Sequence, residues 1–265
     1  MASTFLVGFP NRIDDATITG GSWLAGAPVT NVGTWALAET ARSSNALAAS
    51  TKIRINHGAA VTARALVLMR HNLSSAATVQ WKRGTTAGAS DVADSGAVDA
   101  WRFTPRSLDG EVYDVQVVQA SQTSAQYDEI EIVDTANAAG YVEIGRVFVG
   151  PVFAPTYNPQ YGLIDSHEDL SIIGKAHSGA QWPAPNRRLR KVQFELVALS
   201  LTEGDALHEM EQIEGLTGEV VYLPFIDASA KMQRYGMVGL LNELNGIQYP
   251  RYSTRARGFS VCQRA

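Results

Sequence analysis

The chain has 265 residues, of which 45% are hydrophobic and 18% are charged, so it is too apolar for a disordered protein and can build a sizeable core. Its formal net charge of −4 argues against a nucleic-acid binder that relies on a global basic field. Because domains cluster at about 100–150 residues, the length is comfortable for two domains.

The single cysteine, Cys262, excludes an intrachain disulfide. It indicates a protein made in a reducing compartment, or one stabilised by core and assembly contacts alone. The first ten residues lack a basic segment and their apolar run is too short for a signal peptide. No stretch reaches the roughly 20 apolar residues that span a bilayer, so we expect no membrane insertion.

Short alternating segments separated by Gly, Ser, Asn, Asp and Pro fill residues 1–150 and predict the strands of a β-sandwich or jelly roll. Residues 63–70 form a continuous apolar run with the length of a strand buried on both faces. In residues 77–83, Val79 and Trp81 share one face. The other predicted strands are residues 52–55, 113–117, 130–132 and 143–150.

Residues 151–187 are rich in proline and glycine. Each proline removes a backbone donor and fixes φ, so we expect no regular sheet here. The pattern predicts an extended connector that wraps over a surface. Long loops of this kind are commonly functional, which favours a role in contacting a partner.

Residues 151–265 are predicted to form a second β domain with one short helix, residues 203–214. Two capping boxes compete for the start of this helix, Ser200 with Glu203 and Thr202 with Asp205. Gly215 is well placed to follow its last residue. Strands are predicted at residues 190–199, 219–223, 234–241 and 253–261. The predicted fold class is therefore mainly β, with two sandwich-like or jelly-roll-like domains.

The sequence offers no catalytic constellation. The five histidines lack the spacing of metal sites, and no nucleophile elbow, phosphate loop or dinucleotide-binding fingerprint occurs. His167 lies among Asp165, Glu168 and Asp169, but the regular spacing of a calcium loop is absent and a polar turn is the better interpretation. Cys262 has no evident base. We therefore expect no enzyme and no catalytic, cofactor-binding or metal-binding residues.

Binding features are slightly more informative. Trp81 and Trp101 could stack on sugars, although tryptophans at strand positions are more often core residues. Arg255 and Arg257 alternate onto one face of the last strand. That face could meet an acidic segment such as residues 128–134 of another subunit, or it could simply be a soluble outer face.

Several sequence phrases resemble bacteriophage tail or baseplate structural proteins of the distal-tail type. The phrase Arg70-His71-Asn72-Leu73, followed by Asp94-Ser95-Gly96 and Trp101, resembles their discoidin-like (galactose-binding-like) jelly roll. Residues 144–150, with Pro155, Asn158, Tyr161 and Gly162 after them, resemble the junction into the second domain. Residues 194–239 resemble the tail-assembly domain.

This resemblance implies a virion protein made in the cytoplasm of a bacterial host. It implies a homo-oligomer, a ring or a trimer, that contacts neighbouring tail proteins in a tail tip or baseplate. Tyr157, Tyr161, Arg255 and Arg257 are the candidate inter-subunit residues. The resemblance also implies a division into residues 1–150 and 151–265. The alternative function is a carbohydrate-binding module that contacts host surface glycans through Trp81 or Trp101.

Overall fold

The computed structural model of the chain describes residues 4–105, 112–175 and 177–264. It divides into two compact units. The N-terminal unit contains Thr4–Ala154 and Val221–Val238, and the C-terminal unit contains Pro155–Val220 and the chain from Gly239 onward. Residues 221–238, which were predicted to belong to the second domain, cluster with the first, because their apolar side chains belong to its core.

The N-terminal unit is built on a seven-stranded antiparallel sheet in the order β3-β8-β4-β7-β5-β6, with β2 also paired to β4. A further strand, β1, pairs with β9 and with residues 221–223. The strands are β1 (Leu6–Gly8), β2 (Thr17–Thr19), β3 (Ala41–Arg42), β4 (Ile53–His71), β5 (Thr78–Gly84), β6 (Ala93–Asp99), β7 (Val115–Val133), β8 (Glu143–Gly150) and β9 (Val152–Phe153). A 3-10 helix covers Val29–Gly33.

The second part of the central strand β4, residues 65–69, is buried on both faces, as the apolar run in its sequence predicts. Leu66 and Leu68 pack in one cluster of core side chains, and Ala65, Val67 and Met69 pack in the other. The alternation of a strand sends successive side chains to opposite faces, so only a continuous apolar run can fill both layers. The prediction for this strand is confirmed.

The ladder between β4 and β7 changes register twice. Ile53 lies opposite Ile130 and Ala65 lies opposite Val118, and these two pairs share one register. Between them, Val61 to Ala63 lie opposite Ala125 to Thr123, which is a different register. Each strand is 19 residues long. The two shifts divide this long ladder into two regular halves with an irregular segment between them.

The C-terminal unit contains an antiparallel sheet in which β13 pairs with β10 and β17, and β17 also pairs with β16 and with residues 239–241. Its elements are β10 (Ile164–Asp169), β11 (Ile172–Lys175), β12 (Gln181–Ala184), β13 (Arg188–Leu199), α1 (Leu201–Glu214), β16 (Gln248–Arg251) and β17 (Thr254–Gln263). Strands β14 (Glu219–Leu223) and β15 (Met237–Leu241) contain the points where the chain passes from one unit to the other.

Helix α1 begins two residues earlier than the sequence predicts, because the first of the two competing capping boxes forms. Ser200 Oγ accepts a hydrogen bond from the Glu203 backbone, and Glu203 Oε2 accepts one from the Ser200 backbone at 2.7 Å. The helix ends at Glu214, and Gly215 follows with a φ of +54°, a conformation that favours glycine. The predicted end is confirmed.

A second helix, α2 (Ser229–Tyr235), replaces the first part of the strand predicted for residues 234–241. The seven residues are too few to show a helical period, and the apolar residues that follow dominate the pattern. Met232 and Gln233 are the buried residues of this helix. The mainly β fold class is confirmed, with two helices in place of the one expected.

The prediction of a connector without regular sheet is wrong, because residues 151–187 contain β9 to β12. Pro183 lies within β12, opposite Ile173. A two-stranded ribbon leaves one edge of each strand unpaired, so it tolerates a proline that a central strand would exclude. Neither helix in the described part of the chain is long and apolar enough to cross a membrane.

Candidate functional site

The two tryptophans proposed to hold a sugar are core residues. Trp81 is 0% exposed and its Nε1 donates to Asp128 Oδ1 at 2.9 Å, while Trp101 is 7% exposed and donates to the Leu73 carbonyl at 3.0 Å. Each ring lies among the apolar side chains of the first core cluster. Neither can stack on a glycan from solvent, so this prediction is corrected: Trp81 lies on the inward face of β5, and Trp101 packs into the same core from the segment after β6.

The acidic segment proposed to meet arginines of another subunit is also turned inward. Asp128 is buried and accepts from Arg83 Nε at 2.8 Å and lies 2.7 Å from His57 Nε2. Asp134 is buried and accepts from the Ser74 backbone at 2.9 Å. These carboxylates are held by hydrogen bonds within their own unit, which leaves them unavailable to a partner.

The two arginines of the last strand have different environments. Arg257 is buried, pairs with Glu211 and donates from Nη1 to the Leu207 carbonyl at 3.1 Å. Burial lowers the pKa of Arg257, and the charge of Glu211 opposes that shift. The proposal that Arg257 contacts another subunit is therefore wrong. Arg255 is half-buried and its guanidinium lies 4.1 Å from the centre of the exposed Tyr249 ring, so its role in a contact stays a prediction.

A long β-hairpin, hereafter the arm (residues 164–193), is the most exposed part of the C-terminal unit. Its base is the pairing of β10 with β13, where Asp169 lies opposite Arg188. Its outer part is the pairing of β11 with β12, where Ile172 lies opposite Ala184. One extra residue on the returning strand separates the two ladders, which is the geometry of a β-bulge.

Every residue of β10, β11 and β12 is exposed. Ile172 and Trp182 are 68% and 61% exposed, and the register places them on the same face of the ribbon. Two ion pairs lie near the base, since Arg190 bonds Asp165 at 2.6 Å and Arg188 bonds Asp169 at 3.1 Å. His167 lies in strand β10 rather than in the predicted polar turn.

Two further candidate residues, Tyr157 and Tyr161, precede the arm and are exposed. Their exposure is compatible with a contact, which stays a prediction. Among the described residues, no group of three or more His, Cys, Asp or Glu side chains is placed to hold a metal ion.

The N-terminal unit contains a pocket of about 550 Å³, hereafter the β4–β6–β7 pocket. Arg64 reaches it from β4, Asp99 from the end of β6 and Gln119 from β7. The remaining lining used below consists of Arg102, Ile226 and Met232. The pocket was not predicted from the sequence, because its residues are far apart in the chain and form no motif.

The arginines of the pocket have few protein partners. Arg64 Nε donates to the Gln119 carbonyl at 3.0 Å, and burial lowers the pKa of Arg64. Burial also lowers the pKa of Arg102, while the charge of Asp99 opposes that shift. Within residues 4–105, 112–175 and 177–264, neither guanidinium forms an ion pair with a carboxylate. Gln119 is buried and its Nε2 has no acceptor among these residues.

No protein-family model matches the chain, and no curated protein sequence matches it. Several solved structures are similar to about half of it. A family 32 carbohydrate-binding module from C. perfringens NanJ, in complex with galactose, has a TM-score of 0.40 and 14% identity, with 54% of this chain and 98% of that chain covered.

Two other structures give similar values. The lectin domain of lectinolysin, complexed with Lewis B antigen, has a TM-score of 0.38 and 12% identity over 54% of this chain and 96% of that one. Chitosan-binding module 1 from a Paenibacillus sp. IK-5 chitosanase/glucanase has a TM-score of 0.37 and 16% identity over 53% and 98%. These descriptions concern carbohydrate-binding proteins and none names a tail protein, so the tail resemblance stays a prediction from the sequence.

Proposed function

We propose that the chain is a non-catalytic structural component of a larger assembly and acts through contacts with further copies of itself. The observation that supports this is the arm. An isolated two-stranded hairpin is marginally stable in water, and monomeric proteins rarely expose contiguous apolar patches. Ile172 and Trp182, which share one face of the outer part of the arm, are 68% and 61% exposed. A partner that covers them would remove both liabilities.

The arm also suits strand addition. The β11–β12 ribbon is a two-stranded sheet, so each strand has an unpaired edge that can hydrogen-bond a strand of another copy. Such contacts repeated around an axis close into rings or trimers. The tail tip or baseplate that the sequence resemblance implies is the setting that we propose for this assembly.

The test is the oligomeric state of the full chain, measured by analytical ultracentrifugation over a range of concentrations. The double variant Ile172→Thr with Trp182→Thr removes the apolar pair and keeps residues that favour strands. We expect the parent chain to form a closed oligomer and the double variant to dissociate to the monomer.

The matched control is Val133→Thr, which removes an exposed apolar side chain from the end of β7 in the other unit. It should associate like the parent chain. A parent chain that stays monomeric at all concentrations, or equal loss of association in the double variant and the control, would contradict the proposal.

Glycan binding by the N-terminal unit is the second candidate function. Carbohydrate-binding modules are the class that the similar structures represent, but the support for this candidate is the β4–β6–β7 pocket. Pockets of about 300–1,000 Å³ accommodate small ligands, and this one offers carboxylate and guanidinium groups to sugar hydroxyls. Calorimetric titration of the full chain with galactose and with acidic sugars tests it, and no heat of binding with any sugar would dispose of it.

A further inference from the structure

We propose that the β4–β6–β7 pocket binds the anionic group of a small acidic sugar. The inference deepens the second candidate function and rests on it. It is independent of the arm, because every residue of the pocket lies in the N-terminal unit. The uronic acids are the simplest representatives of this ligand class, since they carry a carboxylate and several hydroxyls on one ring.

The charge of the lining favours an anion. Arg64 and Arg102 contribute two positive charges and Asp99 contributes one negative charge, so the titratable lining residues sum to +1. A guanidinium offers planar donors that match a carboxylate, and it stays protonated at neutral pH. Two such groups at one pocket, neither in an ion pair with a described carboxylate, leave donors available for a ligand.

The burial of the arginines points the same way. Taking a guanidinium out of water disfavours its charged form, and burial is the main cause that lowers the pKa of both Arg64 and Arg102. Both side chains are half-buried, so this cost is partial, and a protein carboxylate usually offsets it. Here Asp99 is exposed and opposes the shift at Arg102 without forming an ion pair. A bound anion would supply the missing partner.

The rest of the lining suits the neutral part of a sugar. Asp99 can accept hydrogen bonds from hydroxyl groups. Ile226 and Met232 offer apolar surface for ring carbons. A simple phosphate or sulfate ion would use the arginines alone and leave the volume of about 550 Å³ mostly empty. The pocket therefore selects a hydroxylated anion over a bare one.

The experiment is calorimetric titration of the full chain with glucuronate, galactose and inorganic sulfate. We expect glucuronate to bind and both other probes to bind about tenfold more weakly or not at all. Arg102→Gln removes one positive charge from the pocket and should weaken glucuronate binding about tenfold or more. The matched control is Arg12→Gln, the same change at an exposed arginine outside the pocket, and it should leave binding unchanged.

A third variant separates recognition from folding. Asp99→Asn removes the one negative charge of the pocket and keeps an oxygen acceptor, so glucuronate should bind a few-fold more tightly, a gain that a folding defect cannot produce. Equal binding of galactose and glucuronate would overturn the inference and leave glycan binding intact. Sulfate binding as tight as glucuronate, equal losses in Arg102→Gln and Arg12→Gln, or no binding of any probe would also overturn it.

Discussion

The polar groups around Asp128 find their partners inside their own unit, whereas the outer part of the arm leaves apolar side chains in contact with water. Asp128 and Arg83 are completely buried, and each of them has several hydrogen-bond partners inside the N-terminal unit. The arm exposes all the residues of β10 to β12, including isoleucines and a tryptophan. The first region contributes stability without a partner, and the second gains stability only when something covers it.

The largest loss in the free energy of unfolding is expected from Arg83→Met, which removes the buried ion pair of Arg83 with Asp128. The change leaves Asp128 without its buried cation and leaves the carbonyls of Val61, Ala63 and Thr123 without a donor. Removing one partner of a buried ion pair costs about 3–5 kcal/mol. Urea unfolding should show a loss of that size in the free energy of unfolding. Arg12→Met, at an exposed arginine, is the control and should change it by less than about 0.5 kcal/mol.

A smaller loss in the free energy of unfolding is expected when the pH is lowered, because the ion pairs of Glu131 on the same sheet are only partly buried. Lys52 and Lys82 bond Glu131 at 2.6 and 2.8 Å, and these hydrogen bonds lower the pKa of Glu131 to about 2. The folded pKa is below the unfolded value, so the contribution is present above about pH 4.5 and is lost as the pH falls towards 2.

After allowance for solvent screening, this contribution should be about 1–2 kcal/mol. The difference in the free energy of unfolding between the parent chain and Glu131→Gln should therefore shrink as the pH falls through that window. Glu39→Gln, at an exposed glutamate, should show no such change. A difference that is independent of pH would show that Glu131 titrates normally.

The cap of helix α1 extends the comparison to the C-terminal unit. Its backbone N–H groups are hydrogen-bonded by side chains of the same helix end, whereas the apolar side chains of the arm are exposed. Ser200→Ala should lower the free energy of unfolding by about 1 kcal/mol, because the Glu203 backbone N–H loses its acceptor. Thr202→Ala removes an exposed hydroxyl 3.2 Å from Ser200 Oγ but leaves the Ser200–Glu203 capping box in place, so it should cost only a few tenths of a kcal/mol. Equal costs would mean that both boxes contribute to the cap.

The smallest effect on stability is expected in the arm. At concentrations where the parent chain is monomeric, Ile172→Thr with Trp182→Thr should change the free energy of unfolding by less than about 0.5 kcal/mol, because both side chains are already in contact with water. Urea unfolding at low concentration measures this. A loss of several kcal/mol would mean that the arm is packed against its own chain.

The sequence predicts elements whose pattern is local and misses features that need distant partners. Strand β8 (Glu143–Gly150) and the end of α1 at Glu214 follow from periodicity and a following glycine. Trp81 was predicted to share a face with Val79, which is confirmed, and the core position that strand tryptophans favour is the one that the structure shows.

The arm and the pocket illustrate what local patterns omit. Five prolines in residues 151–185 led to the prediction that no regular sheet forms there. Proline is excluded only where its backbone nitrogen would have to donate to a neighbouring strand, and Pro183 lies in a ribbon whose strands each have an unpaired edge. The pocket joins Arg64 and Arg102 to Met232, which is 130 residues further along the chain than Arg102. No spacing rule links such residues, and only the fold brings them to one cavity.

The paired register shifts of β4 and β7 have a consequence for how the sheet forms. Three extra residues lie on β4 before Val61 and three on β7 before Thr123, so the two offsets cancel and both halves of the ladder share one alignment. Arg83 donates hydrogen bonds to carbonyls of both strands in the irregular segment and so links them there. Either half of the ladder can therefore form first without forcing the other half into a wrong register. This long strand pair thus has two independent places at which strand pairing can begin.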